Sequence, residues 1–398
     1  MWWDSKVEDI REEARAFAES VVAPIVNRMD VNSEMDAHLM SAMKRAGYMS
    51  LLCPKEYGGR GVSTLEYAVV VEELSRICGS TGITIAAANS LGVYPVDTFG
   101  SQAQRDLVLP GVGEHGNMIA FGLTEPGAGS DASGTKTMAV EHNGGWLLNG
   151  SKCFITNPRF SSWIITTAVT DPDRGAHGIS SFLLHKDTPG FTVGKAETKM
   201  GLHASDTSML HFEDVKLDKE AMLGPRGDGF KQFMMTLDGG RISIGAMALG
   251  LAQGSLDIAL RYAKEKLGIK GAINDRQAVQ FPLSDMATQV EAARHLVYHA
   301  AFLKDQKKPF AKQSAMAKLY ASEVGHFCSN TAIQIMGLDG YRTGSHVERH
   351  LRDVRLCEIG EGTSEIHRIV ISRYILKELE AMTTAVATGK PEPEKVTT

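Results

Sequence analysis

The chain has 398 residues, 43% of them hydrophobic and 22% charged, with a formal net charge of −5. That balance describes a globular protein of two or three structural units. It argues against wholesale disorder and against nucleic acid as the main partner, and leaves a local basic patch open.

The opening MWWDSKVEDIREE turns acidic at once and lacks the basic and apolar regions of a secretory leader. No uninterrupted apolar run approaches the roughly 20 residues that span a bilayer, so a cytoplasmic protein without a membrane span is expected. Cys53, Cys78, Cys153, Cys328 and Cys357 show no CxxC spacing and no His-rich companion, which predicts neither a disulfide framework nor a metal site. Val7, Ile10, Ala14, Phe17 and Val21 recur at steps of three and four, a helical stripe followed by Pro24. A second helix is predicted over 37–46. Pro54, Gly58, Gly59 and Gly61 then make a loop before Ser63, and Glu66 three residues later completes a capping box for a helix carrying Leu65, Val69 and Leu74. The helical period covers 83–99, and Ser101 caps a short helix predicted to end near Pro110.

From Met118 the texture changes to short β-branched or alternating runs at 137–140, 146–149, 163–169, 180–184 and 209–212. Gly, Asn, Asp and Pro separate them. After Gly229 the helical period returns through 242–260, 279–302 and 311–336, and a last helix is expected over 363–379. The tail, 382–398, has Pro and charge but little to bury and is predicted disordered. Strands grouped between two helical blocks argue for an α+β multi-domain chain and against the alternating βαβ rhythm of a doubly wound sheet. The predicted boundaries are an N-terminal helical domain at 1–117, a middle β-domain at 118–229 and a C-terminal helical domain at 230–381.

Three segments carry candidate chemistry. FGLTEPGAGSD, from Phe121 to Asp131, offers backbone N–H groups and the hydroxyls of Thr124 and Ser130 to a phosphate or a flavin edge, or is simply a Gly-rich turn entering the β-domain. EIGEGTSEIHR, from Glu358 to Arg368, sets Glu361 between glycines just before a helix. A carboxylate there is either a desolvated base able to take a carbon-bound proton or an acid favoured by a helix start. LDGGR, from Leu237 to Arg241, is predicted to open a helix rich in small residues, with Arg241 holding an anion or solvated.

LTEPGAGSD, GSKCFITN, GLHASDTSMLHFEDVKL and EGTSEIHR occur in one order that resembles the acyl-CoA dehydrogenase family, from the first helix to about Leu379. AFLKDQKKPF at 301–310 and AMAK at 315–318 are most similar to short-chain, butyryl-CoA-type members. The resemblance implies a helical domain, a β-domain and a C-terminal four-helix bundle, assembled as a homotetramer. It implies FAD as cofactor, an acyl-CoA thioester as substrate, trans-2-enoyl-CoA as product and electron-transferring flavoprotein as acceptor. Glu361 matches the base that removes the α-proton, and its own backbone N–H matches a donor to the thioester oxygen. Phe121, Leu123, Thr124 and Ser130 match one side of the flavin, Phe154 and Thr156 the other, and Thr363 and Glu365 positions beyond the base.

Segments that reach a neighbouring subunit's FAD correspond to Lys266, Ile269 and Lys270 with Gln277, and to Gln334, Gly337 and Leu338. Lys, Ile and Leu replace the Arg, Phe and Gly common there, which weakens or alters the adenosine end and leaves a second subunit type as one explanation. Phe154 stands where Trp is common. Ser130, Asp238, Arg241, Gly362 and Arg373 match substrate-side positions. Gly360 replaces a frequent Tyr, which widens the pocket toward branched or bulky acyl groups, and Gly82 lacks the Arg of glutaryl-type members. Two other readings share these segments: an acyl-CoA oxidase that uses oxygen, and a non-catalytic interaction protein with weakened FAD binding.

Overall fold

The computed structural model describes residues 5–388 apart from Lys270, with side chains as far as Thr384. Helices α1 Ser5–Phe17, α2 Val26–Asn32, α3 Ala37–Arg45, α4 Thr64–Ser75, α5 Gly79–Ala86, α6 Tyr94–Phe99 and α7 Gln102–His115 precede the strands. Strands β1 Met118–Gly122, β2 Met138–His142, β3 Gly145–Thr156, β4 Ser161–Val169, β5 Ile179–His185, β6 Phe191–Ala196, β7 Thr207–Leu217 and β8 Met222–Leu223 follow. Then come α8 Gly229–Glu265, a two-residue hairpin (Leu267–Gly268 with Gly271–Ala272), α9 Gln277–Asp305, α10 Ala311–Met336, α11 Leu338–Tyr341, α12 His346–Val354 and α13 Ser364–Thr388. The chain divides into a helical unit, comprising residues up to 27, 63–79 and from 241 onward, and a mixed unit comprising 28–62 and 80–240.

In the helical unit, α1 buries Val7, Ile10 and Ala14 of the stripe read from spacing, whereas Phe17 and Val21 are only half-buried. The stripe continues through a π-helical turn, Ala18–Val22, that buries Ala18 and Val22. Helix α4 starts with the predicted box: the Ser63 hydroxyl accepts from the Glu66 N–H, and the Glu66 carboxylate accepts from the Ser63 N–H at 2.7 Å. Asp305 at the end of α9 accepts from the N–H groups of Thr64 and Leu65 at 2.7 and 3.0 Å, so a partner helix satisfies donors that the first turn of α4 leaves over. Within α4 even Glu72 and Glu73 are buried, and each is answered by a cation. Arg294 reaches Glu72 at 3.2 Å and Arg11 reaches Glu73 at 3.1 Å, while the Tyr298 hydroxyl donates to Glu72. This network borders a cavity of about 1000 Å³ that contains none of the residues predicted to act in the chemistry.

The small residues of α8 have a geometric reason. A Cβ on Gly250 would sit 2.2 Å from the Glu72 carbonyl oxygen, and one on Gly254 would sit 2.1 Å from that of Arg76, so α8 lies directly on the backbone of the α4 region. Among the described residues α8 is the one helix long and apolar enough to cross a membrane, and 83% of its apolar window is buried in the protein. Helix α13 runs to Thr388, past the predicted end at Leu379 and into the segment predicted disordered. Residues 381–388, AMTTAVAT, contain no Gly or Pro to stop it. The rest of that predicted tail, 389–398, lies outside the described residues.

In the mixed unit the sheet runs β6-β7-β3-β2-β4-β5-β8, with β1 parallel to β4. Trp146, Leu148, Ile155, Phe182, Leu210 and Phe212 form one core on the sheet, and Val93, Val96, Leu109, Ile119, Phe121 and Phe233 form another against its helices. Ser101 caps α7 in a box with Gln104, as its position implies. Helix α7 passes through Pro110 to His115, where Gly116 at φ 63° closes it. Val112 is buried in that extra turn. Strand β1 carries no alternating pattern, because all five of its residues are buried.

Candidate active site

Glu361 lies in the short turn between a 3-10 segment, Arg355–Glu358, and α13. Both Glu361 and Gly362 have left-handed backbones, φ 53° and 98°. A left-handed Glu is uncommon and persists where surrounding contacts enforce it. The residue as a whole keeps some exposure, but Oε2 is enclosed and has no hydrogen-bond partner among the described residues. Burial pushes the carboxyl up to about 7, against the attraction of Lys318 and Arg241. A carboxylate so placed has lost water and gained no donor in exchange, and its proton affinity suits proton abstraction near neutrality.

Lys318, in the middle of α10, has no exposed surface, and its ammonium donates to the carbonyl oxygen of Gly362. Burial lowers it to about 8, offset by Cys357 and Glu361. Arg241 is also buried, at 6% exposure. It lies in the interior of α8, which begins at Gly229, and not at the helix start predicted for it. His367, on the first turns of α13, is fully buried against Gly362, with neither ring nitrogen partnered among the described residues. Burial, then Lys318 and Arg241, hold it down to about 3, so the ring is neutral. Gly360 precedes the base, and its would-be Cβ meets Leu356 at 3.4 Å, ordinary contact distance. Thr363 caps α13, its hydroxyl accepting from the Ile366 N–H at 3.3 Å. Glu365 and Arg373 are exposed along the same helix.

The mixed unit holds the other group. Phe121 at the end of β1 is buried and stacked on Phe233 of α8, ring centroids 3.9 Å apart. Leu123 and Thr124 follow, half-buried, and the Thr124 carbonyl accepts from the Cys153 N–H at 2.8 Å, which brings the loop onto β3. The next residue of β3, Phe154, is left-handed at φ 56° and 67% exposed, an aromatic face turned away from the core, with Thr156 two residues on. Glu125 explains the rest of the motif. It accepts from the Lys152 ammonium at 2.7 Å, from the N–H groups of Lys136 and Thr137 and from the Thr135 hydroxyl, which folds the Gly-rich loop back on itself. Burial alone would raise this carboxyl, but Lys152 and the other donors hold it down to about 2. Ser130 at the loop tip is exposed, and Asp238 on α8 is half-buried.

The remaining predicted residues, Lys266, Ile269, Gln277, Gln334, Gly337 and Leu338, are all exposed in the helical unit. The structure joins their two segments: the Lys266 ammonium and the Tyr262 hydroxyl bind Asp339, beside Leu338, at 3.0 and 2.8 Å. Ile269 is 95% exposed and Leu338 79%. Lys270 lies outside the described residues. Sequence reading missed Lys318 and His367 as neighbours of Glu361, and Lys152 as the partner of Glu125. A lysine between Ala317 and Leu319 inside an apolar helical run was the available signal for Lys318, whereas Lys152, after Ser151, gave none.

Comparison with known proteins gives three family matches. They are Acyl-CoA dehydrogenase, N-terminal domain, over residues 4–115; middle domain over 120–215; and C-terminal domain over 227–376. A probable acyl-CoA dehydrogenase of Bacillus subtilis, YngJ, is 45% identical over 92% of this chain and 97% of its own length. The short-chain specific acyl-CoA dehydrogenase of Rattus norvegicus mitochondria is 44% identical over 92% of this chain and 89% of its own. Among solved structures, butyryl-CoA dehydrogenase from Megasphaera elsdenii superposes with a TM-score of 0.92 at 41% identity, covering 94% of this chain and 99% of that one. A chain from the structure described as the electron transferring flavoprotein of Acidaminococcus fermentans gives 0.92 at 45%, covering 94% and 98%. PigA with FAD and proline gives 0.89 at 28%, covering 94% and 98%.

Proposed function

The chain belongs to the acyl-CoA dehydrogenase family of oxidoreductases, and we propose that it is a FAD-dependent dehydrogenase of short-chain acyl-CoA thioesters with Glu361 as its base. The observation that carries this reading is the enclosed, unpartnered Oε2 of a carboxylate whose proton affinity burial has raised toward neutrality. An α C–H beside a thioester is weakly acidic, so the base must be short of water and the carbonyl oxygen must meet a donor as charge develops. The Glu361 backbone N–H is the proposed donor, and the Lys318 bond to the next carbonyl steadies that stretch of backbone.

The residues fit a flavin. Phe154 presents an exposed aromatic face beside the Leu123–Thr124 edge, where a flat apolar ring would cover it, and Thr124 and Thr156 supply polar groups at its margin. FAD, when bound, supplies the hydride acceptor that no side chain can. Phe121, Leu123, Thr124, Ser130, Phe154, Thr156, Thr363 and Glu365 are its proposed contacts. Lys266, Ile269, Gln277, Gln334, Gly337 and Leu338 are proposed to meet a neighbour's FAD in a homotetramer, consistent with the exposed apolar Leu267, Ile269, Leu338 and Tyr341. Ser130, Asp238, Arg241, Gly360, Gly362 and Arg373 are proposed on the substrate side. Electron-transferring flavoprotein is the proposed acceptor and the cytoplasm the proposed compartment.

The test is Glu361→Gln in the purified flavoprotein. It should keep its yellow colour and bind acyl-CoA while anaerobic flavin bleaching slows by about 10²–10⁴-fold. Comparable bleaching would place the base elsewhere. With the wild type, butyryl-CoA against branched acyl-CoAs tests the proposal that Gly360 widens the pocket, and a large preference for the straight chain would count against it. Peroxide released in stoichiometric yield under air would identify an oxidase instead.

A further inference from the structure

Two consecutive left-handed residues and a buried carboxylate need something to hold them, and the helical unit supplies a charged side-chain donor to the turn. The Lys318 ammonium reaches out of the middle of α10, with no exposed surface, to the Gly362 carbonyl. That carbonyl belongs to the peptide between Gly362 and Thr363, one residue beyond the base, so the bond fixes the Gly362 end of the left-handed pair and anchors the turn that carries Glu361. The alternative occupants of this role are poor. The neutral His367 ring lies against Gly362 but makes no hydrogen bond of ordinary geometry among the described residues and brings no charge to the turn, and Thr363 is engaged with the start of α13.

We propose that Lys318 is a positioning residue for the base: its ammonium pins the turn that carries Glu361, and its charge keeps the enclosed carboxylate ionisable. This rests on the reading of Glu361 as the base. The surroundings isolate the effect. Lys318 stands on α10, Arg241 on α8, Cys357 and Glu358 on the preceding 3-10 turn, and His367 on α13. Burial pushes the Cys357 thiol up to about 12, and burial holds His367 down to about 3, so both are neutral near pH 7. Glu358 is itself bound to Arg355. The cations that oppose the cost of charging Glu361 are Lys318 and Arg241, and of these Lys318 is the larger influence. A lysine buried without a carboxylate in hydrogen-bond contact is itself costly, which is why its own proton affinity falls.

The proposal is tested by the pH profile of kcat/KM in holoenzymes of wild type, Lys318→Gln and Lys318→Arg, with flavin content and circular dichroism measured alongside. The base must be ionised, so the wild-type profile falls on the acid side. Lys318→Gln keeps a donor but removes the charge, and its acid limb should move up by about one pH unit, a tenfold loss on that side. Lys318→Arg keeps the charge but misplaces the donor, and it should lower kcat while leaving the limb where it is in wild type. An unmoved limb in Lys318→Gln, or a limb moved equally by both substitutions, overturns the proposal. Should the Gln variant fail to fold, the Arg variant decides: an unmoved limb with reduced kcat supports the proposal, and a moved limb or wild-type kcat overturns it. Glu361→Gln run in parallel separates the two claims, since activity surviving there defeats the assignment of the base, whereas its loss with unmoved limbs at position 318 defeats only the role of Lys318.

Discussion

Burial lifts the Glu361 carboxyl from its ordinary 4.5 to about 7, and that shift has a sign for folding as well as for chemistry. A group whose proton is held more tightly in the folded state contributes stability that is present below the unfolded value and is lost as pH rises through the folded one. Between pH 4.5 and 7 the folded chain therefore loses up to about 3 kcal/mol at this residue. Glu361→Gln should be more stable than wild type at pH 8 by an amount approaching that figure, with the gap closing near pH 4.5. Urea unfolding at the two pH values measures it, and equal stabilities at pH 8 would show that the carboxylate is solvated. The base could be recognised in the sequence because its glycines and threonine are contiguous with it. Lys318 could not, since 43 positions separate it from Glu361 and only the packing of α10 against the 357–363 turn brings the pair together.

At the scale of elements, the strongest tie is between β3 and the loop that follows β1. Lys152 is fully buried, and its ammonium binds Glu125, Thr135, Thr167 and the Leu123 carbonyl. Lys152→Met leaves Glu125 charged and unpaired in a closed site and should destabilise the protein by about 3–5 kcal/mol. The double variant Glu125→Gln/Lys152→Met should recover a substantial part, and denaturant melts of the two single variants and the double give the coupling directly. Where α8 crosses the α4 region, Gly254→Ala forces a methyl to within 2.1 Å of a backbone oxygen and should cost about 1–3 kcal/mol, read the same way. Capping boxes at Ser63 and Ser101 were legible because their bonds span three residues. Strand β1, pairing with β4 more than forty residues away, leaves no such local mark, and the Gly spacing in α8 shows its purpose only once the opposing backbone is in place.

For the whole molecule, the order of helical block, sheet and helical block was readable from the change of hydrophobic period, while the extent of α13 was not. The absence of a breaker before Gly389 outweighed the loss of an apolar stripe there. Ile269 and Leu338 are nearly bare in the single chain, so if the proposed homotetramer is built on this face, Ile269→Asp lowers both the mass seen by light scattering and the concentration-dependent part of the unfolding temperature. An unaltered mass would remove that face from the assembly. Among the described residues, Lys152 and Lys318 are lysines with no exposed surface. Thioesters and anhydrides acylate neutral amines, and Lys318, with a proton affinity depressed to about 8, would be among the more reactive were it reachable. Sealed inside α10, it is shielded along with Lys152, so a peptide map after acetic anhydride treatment should show surface lysines capped and these two untouched. An enzyme working among activated acyl donors thereby keeps its most vulnerable amines out of their reach.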